Sequence, residues 1–226
     1  MSLISIIIPT LNESKSIEKT LNSLHTTLKE GNELIIVDGG SNDDTISKCK
    51  NYTDKIYTAT KGRAIQMNAG AEQSTNEILL FLHADTLMPK NFSTENLAAL
   101  DTKTNEWGFF KVKFSNRHLL LRLVSTLMNT RSCLTKITTG DQAIFIKKEL
   151  FEKIGGYKEI PLMEDIELSL SLKKHSKPYC VNEFVTTSSR KWERNGIIKT
   201  ILLMWKIRFL YFFGVSPQKL VNIYYK

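Results

Sequence analysis

Ser5-Ile6-Ile7-Ile8-Pro9-Thr10-Leu11-Asn12-Glu13 is the stretch on which the fold turns. It opens with an apolar run of strand length, the pattern of a strand buried on both faces in a parallel sheet. Polar residues follow at once, so the strand delivers Pro9 to Glu13 at its carboxyl end. Working outward, Ile17, Leu21, Leu24 and Leu28 recur at helical spacing and give one apolar face. Leu34-Ile35-Ile36-Val37 repeats the buried-strand pattern and ends at Asp38-Gly39-Gly40. A helix around Thr45 to Lys50, a short strand near Lys55 to Ala59, a helix over Gly62 to Glu72 and a strand Ile78-Leu79-Leu80-Phe81-Leu82 follow. This β-α-β-α-β alternation predicts an α/β fold: a mainly parallel central sheet with helices on both faces. Such sheets bind ligands beyond the carboxyl ends of their strands, where Pro9 to Glu13, Asp38 and His83-Ala84-Asp85 collect.

The second half is less regular. Trp107 to Phe114 and Ala143 to Ile146 alternate well enough for strands, and Glu164 to Lys174 runs acidic to basic as a helix dipole favours. Between the strands, His118 to Met128 is strongly apolar: core, acceptor-site wall or membrane contact. No repeat, low-complexity segment or linker divides the chain. The expectation is one domain over 1–226, with 197–226 as a C-terminal amphipathic helical extension.

With 226 residues, 42% of them hydrophobic, the chain suits one packed α/β domain. The net charge of +8 points to an anionic partner, whether nucleotide phosphates, nucleic acid or an acidic membrane, or to a merely solvated basic surface. The basic residues do not form the aromatic-interleaved stripe that single-strand binding uses, so no nucleic acid is expected. Cys49, Cys133 and Cys180 are odd in number and scattered, which argues against a disulfide framework and a zinc site and for a reducing, cytoplasmic location. Met1 leads straight into a strand-like run without a basic leader, and no uncharged apolar stretch reaches the roughly 18 residues of a spanning helix. Ile197 to Phe213 comes nearest, interrupted by Lys199, Lys206 and Arg208. Three readings stay open for it: a helix lying on an anionic membrane (an inner-face location), a helix packed on the domain, and a dimer contact.

Taken singly, the polar residues permit two readings each. Asp85 closes a very hydrophobic strand, where a carboxylate is costly without a partner. A divalent cation on a diphosphate is one such partner; capping of Thr86-Leu87-Met88-Pro89 is the other. Asp38 either holds a base or ribose or belongs to a turn leading into the helix at Thr45. Lys61-Gly62-Arg63, with Gln66, places cationic and amide groups at a helix start that favours anions, or on an ordinary surface helix. Gly155-Gly156-Tyr157 precedes Glu164 and Asp165, one able to orient substrate and the other to take a proton, or both merely suited to a helix first turn. Ser188, Arg190 and Trp192 can serve a leaving diphosphate and a stacked ring, or sit in an exposed loop. Neither GxGxxG nor GxxxxGK[ST] is present, so dinucleotide and P-loop readings lack their residues.

Their order along the chain is specific. Ser5 to Glu13, Ile36-Val37-Asp38-Gly39-Gly40-Ser41 with Asp43-Asp44-Thr45, Lys61 to Ala71, Phe81 to Asp85, Gly140-Asp141-Gln142 and Leu162 to Leu168 together resemble family 2 glycosyltransferases of the GT-A fold. Ser188 to Trp192 and Gly214 to Pro217 further resemble the short subgroup called rSAM/selenodomain-associated transferase 2. The resemblance implies a Rossmann-like nucleotide-diphospho-sugar sandwich and inverting transfer from a nucleotide-sugar donor to an unidentified acceptor. It implies donor contacts at Pro9, Thr10, Asn12, Glu13, Asp38, Gly39, Arg63, Gln66, His83 and Ala84. Asp85 would hold a divalent metal, Mn²⁺ or Mg²⁺; Asp165 would be the base, with Glu164 beside it and Arg190 at the diphosphate. Asp141, Gln142 and Trp192 fall on the acceptor side. His83 stands where the family's DxD motif has its first Asp. A catalytically silent nucleotide-binding protein on the same fold is the alternative, favoured by His83 and opposed by the Glu164-Asp165 pair; nucleotidyl transfer lacks a Gly-rich N-terminal loop.

Overall fold

The computed structural model describes residues 3–90, 92, 97, 100 and 105–224. Its sheet has eight strands in the order β3-β2-β1-β4-β7-β6-β8-β5. The apolar runs that open the chain become β1 (Ile4–Thr10), β2 (Glu33–Asp38), β3 (Ile56–Thr58) and β4 (Ile78–Phe81). All four are mutually parallel, with Thr10 opposite Asp38. The connecting helices are α1 (Ile17–Ser23), α2 (His25–Lys29), α3 (Thr45–Cys49) and α4 (Arg63–Glu72).

Because neighbouring strand residues point to opposite faces, each apolar run feeds two cores. Ile6, Ile8, Ile36 and Leu80 pack on one face with Leu21 of α1, while Ile7, Val37, Leu79 and Phe81 pack on the other with Met67 of α4. Helices therefore cover both faces, and a continuous apolar strand is the sequence such a layer requires. Close approach needs a small residue at Gly70, where a Cβ would lie 2.4 Å from Ile7 Cγ2.

Beyond β4 the sheet becomes mixed. A two-residue β5 (Thr86–Leu87) leads to β6 (Trp107–Phe114), the long α5 (Leu119–Thr135), a short 3-10 turn (Gly140–Gln142) and β7 (Ile144–Lys147). Then come α6 (Lys148–Lys153), α7 (Glu164–Leu172) and β8 (Pro178–Thr187). The chain continues through α8 (Arg190–Asn195), α9 (Ile197–Phe212) and α10 (Pro217–Tyr224). β7 runs antiparallel between β4 and β6, and β8 runs parallel to β6 with a shift in register after Phe110. Among the described helices none is long and apolar enough to cross a membrane.

One expectation is overturned here. Cys133 of α5 and Cys180 of β8 form a disulfide across 47 residues of sequence, leaving buried Cys49 as the free thiol. β6 pairs Phe109 with Cys180 while α5 packs along β6, so two distant cysteines become neighbours that linear spacing does not reveal.

Candidate active site

The parallel strands end at two loops that lace together. Asn12 holds a left-handed backbone, φ +54°, and its N–H donates to Ser41 Oγ at 2.9 Å, while Asn42 N–H donates to Asn12 Oδ1 at 2.9 Å. Asp38 is buried; its carboxylate accepts from Gly40 N–H (2.9 Å), Ser41 N–H (2.8 Å) and the hydroxyls of Ser41 (2.5 Å) and Thr10 (3.2 Å). Asp38 thus folds the loop of Gly39 to Ser41 at the sheet edge, as its turn reading expects. Gln66 of α4 donates its amide to the carbonyls of Thr10 (2.9 Å) and Val37 (2.7 Å). A Cβ on Gly39 would stand 3.1 Å from Gln66 Oε1, so Gly39 leaves room for this clamp. Pro9, Thr10 and Gln66 are themselves buried, so among these residues the exposed ligand edge falls to Asn12, Glu13 and the loop backbone.

Acidic and basic groups alternate along the middle of the edge. Arg190, entering α8, donates from Nη2 to Glu13 Oε2 at 2.9 Å and stands 3.5 Å from Asp85 Oδ2. Burial pushes the Asp85 carboxyl above its ordinary range; nearby Asp141 and Glu13 add to this, and His83 and Arg190 oppose it. His83 Nδ1 is 3.2 Å from Asp141 Oδ1. Burial raises Asp141 too, but its contacts with His83 outweigh that and hold it below its usual value. Gly140 permits this pair, since a Cβ there would sit 2.5 Å from His83 Nε2. Ala84 is buried, and its carbonyl accepts from Thr20 of α1 at 2.9 Å.

The far side is built by α7. Met163 takes a left-handed conformation (φ +72°), turning the chain abruptly into Glu164 and Asp165. Asp165 accepts from Gly140 N–H at 3.0 Å and from Ile166 N–H at 2.8 Å. Glu164 is 6% exposed and faces Arg63 Nη1 at 3.8 Å. Burial and neighbouring Asp165 push its carboxyl up, with Arg63 and His83 opposing. Asn12, Met163 and Ala143 (φ +46°), beside the 3-10 turn, are three of the four described non-glycine residues with positive φ. Backbone strain is thereby gathered around the site, as it is around many functional sites.

Glu13, Asp85, His83, Asp141, Arg63, Glu164, Asp165 and Arg190 form one continuous electrostatic neighbourhood, while Asp38 is taken up by its own loop. Gln142 does not join it. Expected on the acceptor side, it is fully buried, accepting from Ser132 and Thr138 hydroxyls at 2.8 and 3.0 Å and donating to the Phe110 carbonyl. Its amide also accepts from the Thr139 N–H at 3.2 Å, so it ties the 3-10 turn to α5 and β6. Trp192 stacks edge-on to Phe114 at 5.2 Å, half-buried at the rim. Gly155 to Tyr157 is structural: Asn68 of α4 clamps Tyr157 by both backbone groups, and Gly156 has φ +71°. Lys191 is a group that sequence reading passed over, although it lies between Arg190 and Trp192. Its ammonium sits over the Tyr224 ring at 3.2 Å, and burial lowers it to about 8, with Arg63 lowering and Asp141 raising it.

This sheet order, with acids and arginines at the carboxyl edge of four parallel strands and an antiparallel strand beyond, defines the GT-A nucleotide-sugar transferase class. The solved structures agree on the fold. A mannosyltransferase, PcManGT from Pyrobaculum calidifontis, solved with GDP-Man and Mn²⁺, matches with TM-score 0.60 and 21% identity over 82% of this chain and 56% of its own. TarS 1–349 of S. aureus with UDP-GlcNAc matches with TM-score 0.63 and 20% identity, over 82% of this chain and 58% of its own. The family model for glycosyl transferase family 2 matches residues 5–155, and the chain belongs to that family. Poly-beta-1,6-N-acetyl-D-glucosamine synthase of Staphylococcus aureus is 32% identical over 94 residues, which is 39% of this chain and 23% of that protein. The match therefore spans under a quarter of that relative.

Proposed function

We propose that this glycosyltransferase is an inverting one, acting as a single catalytic unit over 1–226 and moving a sugar from a nucleoside diphosphate to an acceptor hydroxyl. The observation that carries the reading is the opposition of two acid groups across one edge. Asp85, bridged by Arg190 to Glu13, stands at the parallel strands. Asp165, oriented by two backbone N–H groups, stands on the facing helix. The laced loops of Asn12 and Asp38 would hold the nucleoside, with Arg63 beside the nucleotide. Arg190 would swing from its carboxylates to the diphosphate and neutralise charge as it leaves. Asp165 would remove the acceptor proton from the opposite face, so that attack inverts the anomeric carbon; such base catalysis contributes about 10²–10⁴-fold.

Mn²⁺ or Mg²⁺ fits beside Asp85. Among the described residues no three His, Cys, Asp or Glu side chains gather to hold a metal; Asp85 would hold it together with phosphate oxygens and water. The raised Asp85 carboxyl, near Asp141 and Glu13, is a site whose charge a cation would relieve. The cation, when bound, supplies charge neutralisation at the leaving diphosphate. His83 would contribute by holding Asp141 and lowering charge density around Asp85.

A panel of nucleotide sugars tests the reading, following thermal stability and donor hydrolysis with and without Mn²⁺ or Mg²⁺. One donor should stabilise the chain, by about 2.7 kcal/mol at 100 times its Kd, and release its nucleoside diphosphate in a metal-dependent way. Binding without hydrolysis or transfer under any metal would favour the catalytically silent alternative.

Peripheral contact with an anionic membrane belongs to the same proposal. Ile198, Leu202, Trp205, Phe209 and Phe212 form an exposed stripe at helical spacing on α9, with Lys199 and Lys206 exposed beside it.

A further inference from the structure

Resting on that reading, we propose that Arg131 of α5 and Arg208 of α9 form an anion-binding subsite that takes a phosphate group of the acceptor beside Asp165. Arg131 Nε is buried with no hydrogen-bond partner among the described residues. The hydrogen bond its guanidinium does make, from Nη2 to Ser132 Oγ, is long at 3.3 Å. Neither Arg131 nor Arg208 has a salt-bridging carboxylate among the described residues. The helices that carry them meet at α7: Thr138, just beyond α5, donates its N–H to Ser169 Oγ at 3.2 Å, and Tyr211 of α9, one turn on from Arg208, donates to Glu167, so that both arginines act electrostatically on Asp165.

The charges in that space do not balance. Two guanidiniums confront one carboxylate, and Asp165 spends its oxygens on the N–H groups of Gly140 and Ile166. The two further acids of α7 are committed elsewhere: Glu164 faces Arg63 at 3.8 Å, and Glu167 accepts from Tyr211 of α9 with Lys158 3.4 Å away. Burial first and the neighbouring Arg208 second lower Arg131 to about 10, against the pull of Asp165. Holding two half-buried like charges side by side costs free energy that a counter-charge would recover. A phosphate carries up to two negative charges and accepts from planar guanidinium forks, which suits this pair better than a neutral hydroxyl. An acceptor held there would present its reacting oxygen to Asp165. Two sources share this chemistry: a soluble phosphate ester, or a lipid phosphate whose chain would run onto the exposed apolar stripes of α9 and of α5 (Leu119, Leu123, Leu127).

The test uses the intact chain with its donor site filled by UDP or GDP, whichever the donor panel selects, plus Mn²⁺. Inorganic phosphate, decyl phosphate and decanol are then titrated. Inorganic phosphate should bind once per chain, and R131Q and R208Q should each weaken it about tenfold or more while leaving nucleotide affinity unchanged. R131K and R208K, which keep charge without the fork, should fall between, and all four variants are checked for an unchanged melting profile. Decyl phosphate binding far tighter than phosphate, with decanol failing, identifies a lipid source; equal affinity identifies a soluble ester. Absence of phosphate binding to the nucleotide-loaded chain, or equal binding in wild type and both Gln variants, overturns the subsite. Failure of every nucleotide to bind would instead overturn the donor-site reading, and the same titration on the nucleotide-free chain would still decide the two arginines.

Discussion

The two ends of the candidate site are built on different physical terms. At the proposed donor edge the polar groups satisfy one another: Asp38 closes its own loop, Gln66 clamps two strands, and Asn12 is laced to Ser41 and Asn42. At the proposed acceptor edge a buried guanidinium nitrogen has no partner among the described residues, a glutamate is buried against an arginine 3.8 Å away, and two helices present apolar stripes to solvent. The loops of the first end are preorganised, leaving Arg190 as the group that would move when a ligand enters. The second carries uncompensated charge and surface that only a partner would balance. A transferase gains from this division, because donor binding needs a fixed frame while acceptor binding can supply the missing interactions.

The largest effect should come where the two ends meet. D165N keeps the side-chain shape on α7 but removes the proton acceptor and, because a carboxamide nitrogen cannot accept, one of its two bonds from backbone N–H groups. Transfer should fall by about 10²–10⁴-fold, with nucleotide affinity within about twofold of wild type. Transfer and nucleotide affinity falling in parallel would place Asp165 in the donor frame and dissolve the contrast.

The donor edge was legible in the sequence because its physics is local. Buried parallel strands read as uninterrupted runs such as Ile6-Ile7-Ile8, and their ends follow directly, so Asp38 and Asp85 could be placed at one edge without coordinates. The helix at Glu164 was equally open, its acids gathered in the first turn. What stayed hidden depends on long-range pairing. β8 has no counterpart in the sequence reading: its burial alternates irregularly, and it is defined by eight residue pairs with β6 across a register shift. The Cys133–Cys180 bond exists because of that pairing. Gln142 looked like a ligand group because an amide after Gly140-Asp141 carries no mark of burial, and Arg131 and Arg208 lie on helices far apart in sequence.

A middle-sized effect is expected at the apolar stripe. The double variant W205S/F209S alters two residues that are 68% and 62% exposed, so folded stability should change by no more than about 0.5 kcal/mol per site. Sedimentation with vesicles containing anionic lipid should nevertheless fall severalfold, and added salt should weaken what remains. Unchanged vesicle binding would show that the stripe is covered by something other than a membrane, with a second copy of the chain the first alternative to weigh by its mass in solution.

The smallest effect should be an increase in stability, and it separates the two ends most directly. Glu164 is buried, and its carboxyl is held above the ordinary value of 4.5 by burial first and Asp165 second. A carboxyl raised on folding binds its proton more tightly in the native state. Its ionised form therefore costs stability, with the cost absent below the unfolded value and growing as pH rises through the raised one. E164Q keeps the shape and removes the charge, so it should raise the melting temperature by a few degrees at neutral pH and not at pH 4. Its contact with Arg63 would be lost, so turnover should fall even as stability rises. That opposition is expected of strain kept for function. An E164Q protein less stable at pH 7 would mean that Arg63 outweighs burial, and that this part of the acceptor edge is as well satisfied as the donor edge.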